Sequence, residues 1–240
     1  MKIVISGIPI NIQKKNIKNM HLQIKPPDGH VVISVPLSMD DKAIEVYART
    51  NLSWIKKQIE KFQQQSRSSK RQYVSGETMY VWGKQYYLYF VPDSKKNSFK
   101  IDGDKVILSM RVDSTVGQRE KYVREQHRLL LKAEIEKFLA KWEKITGIYC
   151  ESWQTKYMVT RWGTCNIEKK KLWFNLQLTQ KPIECLEYVI LHELIHLKER
   201  THNSTFIGYM DMYMKNWRMV RKELNDLRLD YYDAQRENKS

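Results

Sequence analysis

Apolar residues recur along this chain with two different periods. Up to about residue 110 they alternate with polar ones in short runs, the pattern of strands half-buried on one face. "HLQIKPPDGHVVISVP" (21–36) sets two such runs around a Pro-Pro-Asp-Gly turn. "MYVWGKQYYLYFV" (79–91) makes a second hairpin turning at Gly83-Lys84, and "FKIDGDKVILSM" (99–110) a third turning at Asp102-Gly103. Ile44, Tyr47, Ala48, Ile55, Ile59 and Phe62 fall at helical spacing behind Ser38 as an N-cap, and predict one helix to about residue 64. "QQQSRSSKR" (63–71) has no apolar residue and is expected to be an exposed linker.

From about residue 117 the period becomes helical. Tyr122, Val123, Leu130, Leu131, Ile135, Phe138, Leu139, Trp142 and Ile145 form one stripe, which Gly147 is suited to stop. Strands are expected around "RWGTC" (161–165) and "KLWFNLQL" (171–178), and Pro182 opens a further helix. Phe206, Met210, Tyr213, Trp217, Val220, Leu224 and Leu227 predict a last helix with a single core-facing stripe. The methionines there are read as packing residues. No repeat of the kind that builds a solenoid is visible. The pattern predicts an α+β protein with a β-rich region over 1–112, carrying one helix, and a second region over 113–240.

Composition adds limits. Hydrophobic residues make up 42% and charged ones 29%, as in an ordinary globular protein. No run of eighteen apolar residues exists, so no membrane span is expected. The opening "MKIVISGIPINIQKK" turns polar too soon for a signal peptide. Three cysteines without C-x-x-C spacing suit reduced thiols, and the expected location is cytoplasmic. The net charge of +15 favours anionic partners, nucleic acid among them, or serves solubility alone.

The chemistry concentrates in "VILHELIHLKERTH" (189–202). His192 and His196 are four apart, roughly 6 Å along a helix axis on one face, where both imidazoles reach one metal ion. Glu193 lies about 100° further round, placed to take a proton from water and not to ligate. Ile183, Leu186, Ile190, Leu194 and Leu197 lie roughly opposite the pair, so the helix has a core stripe without its histidines. A catalytic zinc takes three protein ligands and an open fourth position. His202 completes H-E-x-x-H-x-x-x-x-x-H; the metzincin pattern has a glycine where Glu199 stands, so the turn back must be made another way. Asp211 and Glu223 are the rival third ligands. His21, His30 and His127 have no partner spacing and are read as surface residues. Cys165 has no nucleophile signature. Arg161 and Trp162 read equally as holders of an anionic or peptide group and as a strand end turning at Gly163.

"RWGTC", "FNLQL" and "LEYVILHELIHLKERTHNSTF" together resemble the YgjP-like branch of SprT-like zinc metallopeptidases, and "WIKKQI" and "YVSGETMYVWGKQYYL" resemble the region that precedes them. The resemblance implies a zincin-like catalytic core: a short sheet and a backing helix flanking the zinc-binding helix. It implies His192, His196 and His202 as the Zn2+ ligands and Glu193 as the general base. Thr201 stands where the family usually has Asn, and Asn203-Ser204 displaces the usual Ser by one. Some relatives are assigned as nucleoside triphosphate pyrophosphohydrolases, and distant SprT-like ones act on proteins bound to DNA.

The expectation is therefore a zinc-dependent hydrolase, first a metallopeptidase acting on peptide or protein. The alternatives are a nucleoside triphosphate pyrophosphohydrolase and a nucleic-acid-binding module with a structural zinc. No P-loop is present to hold nucleotide phosphates. A structural site would be closed by four ligands and would leave Glu193 without a purpose. Tyr209, Tyr213 and Arg161 are the candidate oxyanion helpers.

Overall fold

The computed structural model describes residues 2–25, 30–64, 71–92, 96–158 and 161–226. The chain divides into two compact units, residues 1–69 and 70–227. The Pro-Pro-Asp-Gly turn (26–29) and most of the expected linker lie outside the described residues.

In the first unit β1 (Lys2–Ile5), β2 (Ile8–Lys15), β3 (His21–Lys25) and β4 (His30–Pro36) form a sheet in the order β1-β2-β4-β3. The central pair β2 and β4 is parallel and both flanking pairs are antiparallel. Ile10, Ile12, Val31, Ile33 and Val35 bury their side chains against Ile44, Ala48 and Ile55. The latter belong to two helices, α1 (Asp41–Thr50) and α2 (Leu52–Gln64), where the apolar spacing predicted one. Asn51 makes the break: its side-chain amide donates to the Tyr47 carbonyl (2.8 Å), ending α1, while its own carbonyl accepts from Ile55 to start α2. Asp40, not Ser38, is the N-cap of α1.

In the second unit β5 (Thr78–Val81), β6 (Lys84–Val91), β7 (Ser98–Asp102) and β8 (Lys105–Ser109) form a sheet in the order β5-β6-β8-β7. The 31-residue α3 (Val116–Thr146) follows. Thr115 and Gln118 close a capping box at its start, and Gly147, left-handed at φ 68°, ends it. Its buried face is Val123, His127, Leu131, Ile135, Leu139 and Trp142. His127 is thus a core residue and not a surface one, because it stands on the four-residue stripe between Val123 and Leu131. A third sheet, in the order β10-β11-β9, is built from β9 (Ser152–Lys156), β10 (Gly163–Asn166) and β11 (Lys171–Asn175).

A 3-10 turn (Leu176–Gln180) leads into α4 (Ile183–His196), followed by α5 (Ser204–Tyr213) and α6 (Trp217–Asp226). The single last helix expected from one stripe is two, yet the stripe is real: Phe206, Met210, Trp217, Val220 and Leu224 are all buried. Asp211 bridges the break by accepting from the Trp217 indole (2.7 Å) and the Arg218 guanidinium. The helix α4 is buried on nearly all sides, with Cys185, Leu186, Val189, Ile190, Leu191, Leu194 and Ile195 in one core with β11, α3 and α6. The one-sided stripe foreseen for it is only part of what it buries. The architecture is α+β, with a small sheet and the backing helix α3 flanking α4, as expected for this region.

The division expected at residues 112 and 113 falls inside the second unit. The sheet β5–β8 is held there by its own core, where Leu88, Val106 and Leu108 pack with Val123 of α3. Among the described residues no helix is long and apolar enough to cross a membrane.

Candidate metal centre

His192 and His196 sit on the last turn of α4, where helical pitch stacks them on one face. Their Nε2 atoms lie 3.2 Å apart. The chain then leaves the helix without any left-handed residue between 197 and 203, so the missing glycine costs nothing. The Glu199 carboxylate accepts from the Thr201 amide and hydroxyl within the turn, and Asn203 caps α5 by accepting from the Phe206 amide (3.0 Å). Asn203 and Ser204, which depart from the usual family wording, are the residues that start the new helix. This turn delivers His202, whose Nε2 is 3.0 Å from that of His192.

The three imidazoles satisfy a stringent test of fit to a metal. Nitrogen ligands at 2.0–2.1 Å from one tetrahedral ion lie about 3.3 Å apart. The separations from His192 to His196 and to His202 are close to that, and all three ligand atoms fall within 4.8 Å of one another. The opposite ring nitrogen decides the tautomer of His196. His196 Nδ1 lies 3.0 Å from the Glu199 carbonyl, which can only accept, so Nδ1 carries the proton. His192 Nδ1 faces the Tyr188 hydroxyl at 3.4 Å. With its proton on Nδ1, His196 turns the Nε2 lone pair towards His192, where a cation between the rings can take it.

The surroundings hold the rings in place and disfavour the charged forms of His192 and His202. Burial, with His196, His202 and Arg221 nearby, lowers the pKa of His192 to about 3. Burial first, then His196 and Arg221, also holds His202 below its ordinary value. The buried Phe206 ring underlies the group, 4.7–4.9 Å from each imidazole centroid. Tyr188 stacks on Trp217 of α6 (6.4 Å, 3°), which fixes the phenol beside His192.

Glu193 is buried on the neighbouring face of α4, and burial pushes its carboxyl up to about 8 against the opposing charge of Arg161. Its neighbour across the gap is Gly163 of β10. A Cβ at Gly163 would stand 2.7 Å from Glu193 Oε1 and 2.8 Å from Val189 Cγ1, so only glycine lets the strand approach. At the end of β11, buried Asn175 donates its side-chain amide to the carbonyls of Met158 (2.8 Å) and Arg161 (2.7 Å), holding Arg161 at the entry to β10. The signal for this was an asparagine inside the apolar run "LWFNLQL".

A cleft of about 500 Å³ joins these groups, lined among others by Arg161, Gly163, Cys165, Tyr188, His192, Glu193, His196, Arg200, His202 and Arg221. Of the foreseen oxyanion helpers only Arg161 borders it. Tyr209 and Tyr213 stack on each other (6.3 Å) away from it, and Tyr188 stands there in their place. Asp211 is engaged with Trp217 and Arg218, and neither it nor Glu223 joins the histidine cluster. Burial and the Glu193 charge push the Cys165 thiol up to about 11, which suits an inert thiol.

The family model described as "YgjP-like, metallopeptidase domain" matches residues 18–227. No curated protein matches the sequence. Among solved structures, the metallopeptidase zymogen of Pyrococcus abyssi abylysin is similar at 17% identity and a TM-score of 0.35, over 38% of this chain and 90% of that one. The metallopeptidase zymogen of Methanocaldococcus jannaschii jannalysin is similar at 20% and 0.33, over 40% and 93%.

Proposed function

Since the chain belongs to the YgjP-like metallopeptidase family, we propose that it is a zinc-dependent peptidase whose metal is held by His192, His196 and His202, with Glu193 as general base. A metallopeptidase family implies a divalent metal, and three imidazole ligands suit zinc. The observation that carries the reading is the convergence of three Nε2 atoms beside a buried carboxylate, at an open cleft. A structural site would be closed by a fourth protein ligand; among the described residues the cluster has three.

When bound, zinc supplies a Lewis acid for the scissile carbonyl and lowers the pKa of coordinated water towards about 7. Glu193 takes the proton of the attacking water and returns it to the leaving amine. Gly163 leaves space for that carboxylate, and Tyr188 orients His192 through Nδ1. A peptide substrate is favoured because β10 is the edge of its sheet and borders the cleft, offering backbone groups along which an extended chain can pair.

Glu193→Gln separates the base from the ligands. It is expected to keep one metal per chain while turnover of an unstructured peptide falls by about a hundred- to ten-thousandfold. Loss of the metal, measured by elemental analysis, or full retained activity overturns the role.

A further inference from the structure

Ten arginines lie among the described residues, and they fall into two groups. Seven donate to a carboxylate, a hydroxyl or a backbone carbonyl. Examples are Arg49 to Glu45, Arg111 to Asp113, Arg124 to Glu120 and Arg218 to Asp211. The three that have no such partner among the described residues are Arg161, Arg200 and Arg221, and all three line the cleft at the histidine cluster. They arrive from separate places: Arg161 from the chain entering β10, Arg200 from the turn between α4 and α5, and Arg221 from α6. Among the described residues Glu193 is the single acidic one on the cleft wall, and no lysine lines it.

An unpartnered guanidinium on a convex surface is solvated and unremarked. Three around one concavity concentrate positive potential there, because the low-dielectric wall focuses the field on whatever enters. A bound divalent cation adds to the same sign. Guanidinium groups present forked donors that match carboxylate and phosphate oxygens. We propose that this arginine rim selects peptides with Asp or Glu side chains flanking the bond to be cleaved. The inference rests on the peptidase reading for its substrate class. Peptide carboxylates fit better than nucleotide phosphates: the guanidiniums are spread over three elements along the cleft, which is bordered by the edge strand β10, and no glycine-rich phosphate loop is present.

Binding tests this apart from turnover. Metal-loaded Glu193→Gln protein, and the metal-free wild-type chain beside it, are titrated with labelled peptides of one length, one rich in Asp and Glu and one with Ser and Ala in those places. The acidic peptide is expected to bind about tenfold more tightly, with the ratio shrinking as salt rises. Arg161→Gln, Arg200→Gln and Arg221→Gln should each lower that ratio roughly two- to fivefold, and Arg111→Gln should not. Equal binding of the two peptides overturns the proposal whatever the wild-type protein cleaves, as does an equal effect of Arg111→Gln, which would assign the preference to overall charge. A nucleoside triphosphate that displaces the acidic peptide more effectively than unlabelled acidic peptide does would reassign the rim to phosphate. If the wild-type protein cleaves no peptide yet the ratio stands, the peptidase reading fails and the anion preference survives it.

Discussion

The sheets β1-β2-β4-β3 and β5-β6-β8-β7 share one plan and differ in what their first turn touches. Each is a hairpin, a parallel central pair and a second hairpin, with first strands starting at residues 2 and 78 and second strands at 8 and 84. Each first turn has two left-handed residues, Ser6 (φ 50°) and Gly7 (78°) in one, Trp82 (51°) and Gly83 (77°) in the other. That is the turn whose twist matches a hairpin. Around Gly7 the space is open. At Gly83 a Cβ would meet the ring and backbone of Pro182 at 3.0–3.1 Å, and the Trp82 amide donates to the Thr179 carbonyl (2.7 Å). The same local device ends freely in one sheet and tethers the other to the start of α4. Turn chemistry is set by two residues, whereas its use is set by what the rest of the unit brings alongside.

The strongest way to sharpen this contrast is the metal. At a free concentration a thousand times its dissociation constant, a bound ion stabilises the fold that holds it by about 4 kcal/mol. Hydrogen exchange should therefore slow at the amides of α4 on loading with zinc and recover on chelation, while β2 and β4 stay unchanged. Equal protection in both units would erase the distinction.

Acid gives a smaller effect of the same selectivity. His127 is buried in the second unit, and burial, aided by Arg71 and Arg124, lowers its pKa from 6.5 to about 4; its Nε2 has no partner among the described residues. The unfolded chain takes up that proton at higher pH than the folded one. The stabilisation is complete above pH 6.5 and is lost as pH falls towards 4, by about 3 kcal/mol. The first unit's described histidines, His21 and His30, are exposed. Exchange at α3 should accelerate over that window, less so in His127→Leu, and a slope that survives the substitution would assign it to other groups.

The two turns themselves provide the smallest difference. Gly7→Ala pays only for a left-handed alanine, about 1 kcal/mol. Gly83→Ala adds the clash with Pro182, for a total of roughly 2–3 kcal/mol. Denaturant midpoints of the two variants measure the gap, and equal shifts would mean the tether carries no strain.

How much was legible follows from range along the chain. The pairing of His192 with His196 and the placing of Glu193 need only helical pitch, and the stripe of α3 with its Gly147 stop needs little more. His127 lies on that same stripe, but its polarity argued for the surface, and only the closed core around it shows the opposite. The breaks at Asn51 and between α5 and α6 were hidden for another reason: the apolar spacing continues across each, while the side chains of Asn51 and Asp211 take hydrogen bonds that bridge it.

By itself the sequence determined the helix that carries two histidines and a glutamate and the spacing of the third histidine, because each depends on residues a few positions apart. The turn expected at Gly83-Lys84 lies one residue earlier, at Trp82-Gly83, and that expected at Asp102-Gly103 one later, at Gly103-Asp104. Tertiary structure alone decided the rest of the centre. Gly163 stands 30 residues from Glu193, and the three arginines of the cleft rim come from β10's approach, a turn and α6; nothing local marks them as neighbours. Even Phe206, legible as a core residue, became the floor of the histidine cluster only when the turn through Asn203 folded α5 back beneath α4. Pitch and turn geometry act over about one helical turn, whereas the close approach of a strand, a rim of like charges and an aromatic floor exist only once the chain has closed on itself.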